Sequence, residues 1–164
     1  MTTMLPVCLK SRGVEHWFAW RSVRDPKGAI VRAADRAFVA ESLPALTERW
    51  QASHPGVAID DEPSTIDLDA LIANLRGGSS MDAEALLNAL NMLDDVAHAC
   101  RATGRDASFG GIAARLTLYD KAFSLTSVGR MVGAPPDTIF DADRRALAEW
   151  LDIGADMVRG VAGL

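Results

Sequence analysis

The segment from about Ser80 to Thr103 constrains the fold more than any other part of the chain. Leu86, Leu87, Ala89, Leu90, Met92, Leu93, Val96, Ala97 and Cys100 set apolar side chains around most of the circumference of a helix, and a helix that is apolar on several sides must be packed on several sides. This segment is therefore expected at the centre of the molecule. Asp82 and Glu84 fall in its first turn, where negative charge meets the positive end of the helix dipole. Ser79 and Ser80 are candidate caps, and Gly104 a candidate stop.

Other elements must then surround that helix. Leu147, Trp150, Leu151, Gly154, Met157, Val158 and Val161 share one face of a second long helix, with Asp141 suited to cap it and Gly160 or Gly163 to end it. Ile66 to Leu75 predicts a short helix that starts after Ser64 or Thr65 and ends at Gly77-Gly78. Ile112, Leu116, Tyr119 and Phe123 mark another, started after Gly110-Gly111. Ala29 to Trp50 has helical content, which Pro44 is expected to kink or divide. Met4 to Leu9 and Val14 to Val23, joined by Lys10-Ser11-Arg12-Gly13, read as a small hairpin because Trp17, Phe18 and Trp20 favour extended backbone. The second run also fits a helix with Val14, Trp17, Phe18 and Arg21 on one face. Linkers are expected at Asp25-Pro26-Lys27-Gly28, from His54 to Pro63, and from Gly133 to Asp137. With 164 residues and no internal repeat, the expectation is one domain over 1–164. An N-terminal hairpin or extended segment would occupy 1–28, and a helical body 29–164. The expected class is mainly α, a bundle of about five to six helices.

Charge is unevenly spread. The net value is −5, yet residues 54–100 hold nine acids (Asp60, Asp61, Glu62, Asp67, Asp69, Asp82, Glu84, Asp94 and Asp95) against Arg76 alone, a local balance of −8. Such a segment repels phosphate and attracts a basic partner. With a pI near 5.1, it argues against nucleic acid even though Trp17, Trp20 and Trp50 lie close in sequence to arginines. The same acids also suit helix starts, which is the structural use of such charge. No apolar run approaches the roughly 18 residues of a membrane span, and Met1 to Gly13 lacks the start of a secretory signal. The chain is therefore read as cytoplasmic, with no membrane partner. Cys8 and Cys100, without any CxxC pair, are read as reduced thiols.

The most informative local pattern is Asn88, Asn91, Asp95 and His98, four polar groups on one stripe of an otherwise apolar helix. Asp95-x-x-His98 has the carboxylate–imidazole spacing of di-metal bundles, but those need a second such pair, and neither His16 nor His54 has an acid three positions before it. A small metal-dependent enzyme using Asp95 and His98 remains the first alternative, and a helical structural or regulatory oligomer registered by the stripe the second. No GxSxG elbow occurs, and Gly77-Gly78-Ser79-Ser80 lacks the GKS or GKT of a phosphate loop. No catalytic residue, metal ligand or cofactor is assigned.

Leu86-Leu87-Asn88-Ala89-Leu90-Asn91-Met92-Leu93-Asp94-Asp95-Val96, followed by Leu118-Tyr119-Asp120-Lys121-Ala122-Phe123, resembles small bacterial proteins encoded beside polymorphic toxins. The chain as a whole is similar to immunity proteins of contact-dependent inhibition systems. The resemblance implies a non-enzymatic protein that binds and blocks a toxin domain, often a nuclease, and it carries over no functional residue. A nuclease holds phosphate with Lys and Arg, so an acidic face would steer onto its cleft. That face is expected at Asp60, Asp61, Glu62, Asp67 and Asp69, joined by Asp94, Asp95 or His98 if the stripe reaches the surface, with Trp50 as the apolar anchor.

Overall fold

The computed structural model describes residues 3–21, 29–30, 32–33, 36–78, 80–101, 109, 113–135 and 137–162. The expected linker at Asp25–Gly28, the cap at Ser79 and the stops or starts at Gly104, Gly110-Gly111 and Gly163 lie outside the described residues.

Met4 to Leu9 forms the middle of strand β1 (Thr3–Ser11), paired antiparallel with β2 (Val14–Arg21) in a register that sets Val7 opposite Phe18 and Ser11 opposite Val14. Arg12 and Gly13 turn the hairpin with φ of 54° and 74°, the left-handed pair that a two-residue loop needs to match strand twist. The hairpin is the core of a larger sheet. Antiparallel to β2 run β3 (Ala29–Ile30) and β6 (Val39–Ala40), while β7 (Ala58–Ile59) and β8 (Ser64–Asp67) run parallel to β1 on its other side. A separate ribbon joins β4 (Arg32–Ala33) to β5 (Arg36–Ala37).

Helices cover both faces of the sheet. Val7 and Leu9 of β1 and Phe18 of β2 face the main core, built with helices α2 (Leu68–Gly77), α3 (Ala83–Arg101), α4 (Ala113–Ser124) and α6 (Asp141–Ala162). Met4 and Ala19 face the other way, into a second cluster with Phe38 and Ala40 and with Leu46 and Trp50 of α1 (Leu43–Ser53). A short helix α5 (Ser127–Met131) links α4 to α6. The architecture is therefore α/β, which corrects the expected mainly-α bundle with a small hairpin.

The corrections have local causes. Among the described residues of 29–40, Ala29–Ile30, Arg32–Ala33, Arg36–Ala37 and Val39–Ala40 are strands of two residues each, too short to show a period of two. Pro44 does not divide a helix: it sits in the first turn of α1, where its missing N–H is not needed, and Ser42 caps that turn by accepting the N–H of Ala45 at 3.3 Å. Ile66 belongs to β8, and α2 begins only after Asp67, whose carboxylate accepts the N–H of Ala70 at 2.8 Å. α3 starts at Asp82 in the same way, through Ala85 at 3.0 Å. Gly160 lies within α6 and does not end it.

The central position expected of α3 holds, since α2, α4, α6 and three strands all pack against it. It meets α6 at Gly154, where a Cβ would lie 2.5 Å from Cδ1 of the fully buried Leu93. Gly154→Val is expected to cost about 2 kcal/mol in urea unfolding, because the added side chain must displace the buried Leu93. Gly160→Ala, with nothing within 4 Å of the new Cβ, is expected to leave stability unchanged or raise it by about 0.5–1 kcal/mol.

Candidate functional site

The acids of residues 54–100 divide into those that hold the fold and those that do not. Asp67 caps α2 and pairs with Lys10 at 3.5 Å. Asp69 receives the backbone N–H groups of Arg12 at 2.8 Å and Gly13 at 2.7 Å, clamping the β1–β2 turn onto α2. Asp82 caps α3, and Glu84 accepts both the N–H and the hydroxyl of Ser127, which lowers its pKa. What is left is the loop before β8. Asp60 closes an Asx turn by accepting the N–H of Glu62 at 3.0 Å, while Asp61 and Glu62 are exposed, with no hydrogen bond or ion pair from either side chain among the described residues. Asp94 is also exposed, with Arg101 at 3.9 Å.

The polar stripe of α3 reaches the surface. Asn88, Asn91 and His98 are exposed, and only Asp95 is half-buried. Asn88, Asn91 and Asp95 form one wall of a groove of about 250 Å³ whose other wall is the sheet, including Ser64 and Ile66 of β8. Ser64 follows Glu62 by two positions, so the groove opens next to the acidic loop. Tyr119 donates to Asn91 Oδ1 at 2.8 Å, and Trp20 Nε1 donates to Asp95 Oδ2 at 2.9 Å. Burial raises the Asp95 pKa, opposed by the Trp20 hydrogen bond. His98 lies one turn on, in solvent, and among the described residues no group of three His, Cys, Asp or Glu side chains converges on a common point.

Trp50 does not join this surface. It is 1% exposed, stacked on His54 with ring centroids 4.0 Å apart and edge-on to Phe38. The indole is a core side chain of the second cluster, where its apolar area contributes most.

A larger cleft, of about 620 Å³, lies beside the hairpin, between residues 11–16, the strand β6 and the last turns of α6. His16 lines it at 8% exposure, with Nε2 unpartnered among the described residues, and burial lowers its pKa, disfavouring the charged imidazole. Arg12, Arg49 and Arg159 bring positive charge, and Glu15 and Glu41 negative charge. Sequence reasoning missed this site because its parts come from residues 11 to 162, and only the unpaired His16 on a strand gave any signal. Near it, Cys8 is buried in β1, and burial pushes its thiol up to about 11. Such a thiol is protonated and inert at neutral pH.

Two substitutions separate structural from available acids. Asp69→Ala removes both partners of the turn and is expected to cost about 1–2 kcal/mol, given that these bonds are exposed. Asp95→Asn keeps an acceptor for Trp20 but removes a charge whose burial is unfavourable. A carboxyl raised in the folded state gives its full relative stability below the unfolded pKa and loses it as pH rises through the folded one. The Asn variant is therefore expected to melt higher than the native chain at pH 7, with the gap closing as pH falls to about 4.

No protein family, curated protein or solved structure matches this chain.

Proposed function

We propose that this protein is a non-enzymatic inhibitor that binds a basic protein, such as the catalytic domain of a bacterial toxin, through the edge formed by the Asp60–Glu62 loop and the exposed stripe of α3. The observation that carries the reading is the division among the acids. Asp61 and Glu62 project where the fold makes no use of them, so their charge is available to a partner. Asp67 and Asp69, occupied at the start of α2 and at the hairpin turn, serve the scaffold instead. Asp94 and His98 extend the polar edge along α3, and the groove at Asp95 offers Asn88 and Asn91 as hydrogen-bonding groups.

Rim charges set the rate of encounter, whereas apolar contacts that become buried hold a complex together. With Trp50 inside, the anchor must be another side chain. Met131 is 80% exposed and Val132 64%, at the end of α5, which Glu84 ties to the first turn of α3 through Ser127. Met131 is the anchor in this reading, because a flexible thioether adapts to a partner surface.

Capture with the tagged protein at low salt from its native cells, followed by mass spectrometry, supplies the test when paired with an Asp61→Lys/Glu62→Lys variant. The native chain is expected to retain one basic protein in stoichiometric amount. The variant is expected to associate with that protein about tenfold more slowly in stopped flow, with the difference shrinking as salt is raised. Equal rates for the two chains at low salt would remove the loop from the interface.

A further inference from the structure

The geometry points to a second site, independent of the acidic edge: the cleft beside the hairpin binds a small monoanion, a carboxylate carried on an apolar body. Its size, about 620 Å³, is in the range of small-molecule pockets, which combine apolar walls with a few placed polar groups. Val14, Val39 and Val161 are among its walls. Charge within it is not freely available from every arginine. Arg12 is held by Asp152 at 3.2 Å and Asp156 at 3.5 Å, and Arg159 by Asp156 at 3.3 Å.

Arg49 differs from both. Its guanidinium donates to the Val39 carbonyl at 2.6 Å and lies over the Phe38 ring at 5.1 Å, so it is fixed in place without a carboxylate partner among the described residues. A guanidinium has five N–H donors in a rigid fork, and the bond to Val39 occupies one. A fixed fork with unused donors suits a planar carboxylate. His16 lines the same cleft, with Nε2 enclosed and without a protein partner among the described residues, so its ring is a reporter at the wall of the site. Glu15, which accepts the indole N–H of Trp17 at 3.3 Å, and Glu41 also line the cleft. Two carboxylates there disfavour a polyanion such as a nucleotide and leave room for one negative charge.

Titration of the full chain with hexanoate, followed through the histidine ring signals by NMR, tests this directly. Acetate supplies the charge without the body, and hexanol the body without the charge. Hexanoate is expected to shift the His16 ring signals saturably at millimolar concentration while His54 and His98 stay still. Acetate and hexanol are each expected to bind at least about tenfold more weakly. Arg49→Gln should weaken hexanoate about tenfold, and Val161→Trp, which keeps Arg49 and fills the cleft, should abolish saturation in a chain whose circular dichroism is native. The assignment is overturned if His16 shows no saturable shift, if both variants respond like the native chain, or if hexanol or inorganic phosphate binds as well as hexanoate.

Discussion

β1 is buried on both faces and paired on both edges, and the rest of the molecule is arranged to keep it so. Val7 and Leu9 need one apolar layer, and Met4 needs another. Burying a side chain of this size contributes about 1.5–3 kcal/mol, and so does each partner it packs against. The layers follow from that demand. α2, α3 and α6 close over the Val7 and Leu9 side, and α1 closes over the other. β2 satisfies one edge of backbone donors and acceptors, and β7 and β8 the other. A strand covered in this way reads as a continuous apolar run, without alternation, and Met-Leu-Pro-Val-Cys-Leu is such a run.

The hairpin also organises the charge. Its turn projects from the sheet and needs something to hold it, and Asp69 at the start of α2 does so from one side. From the other side Arg12 reaches Asp152 and Asp156 on α6, where Arg76 of α2 also meets Asp152. Residues distant in sequence are thus joined by carboxylates that a charge count alone takes for surface. Four of the nine acids of the middle segment, Asp67, Asp69, Asp82 and Glu84, are used in this way, at helix starts and at the turn. Asp60 closes its own loop and Asp95 accepts from Trp20, which leaves Asp61 and Glu62 exposed, and Asp94 exposed beside Arg101. The same turn forms a wall of the cleft with His16 and Arg49, so one local structure serves both the packing of the sheet and the shape of the pocket.

Much of this was legible in the residues. The wide apolar circumference of α3 placed it at the centre, and the single face of α6 placed that helix against it. Trp17, Phe18 and Trp20 pointed to β2, although the same run also fitted a helix, and the turn was legible only as Lys10-Ser11-Arg12-Gly13, of which Lys10 and Ser11 belong to β1. The rest of the sheet was hidden because β3, β6 and β7 are two residues long and β8 four, lengths at which composition and period carry little information. These strands form because β1 and β2 already offer edges to pair with, a tertiary cause with no local signature. The Asp60–Glu62 loop was legible as an exposed acidic loop. The use of acids at helix starts was legible, but the pairing of Asp67 with Lys10 and the hold of Asp69 on Arg12 and Gly13 were not, since those partners lie far away in sequence. Trp50 was misread because an indole among charged neighbours, Glu48 and Arg49, gives no sign of which side of a helix meets the sheet.

Amide hydrogen exchange on the native chain measures the dependence on β1 most directly. The amides of Val7, Cys8 and Leu9 should exchange only by global unfolding, as slowly as those of Leu90 to Val96 in α3, while that of Asp61 in the exposed loop exchanges freely. Exchange of the β1 amides well ahead of α3 would contradict the account, because it would mean that the helices stand as a bundle without the sheet.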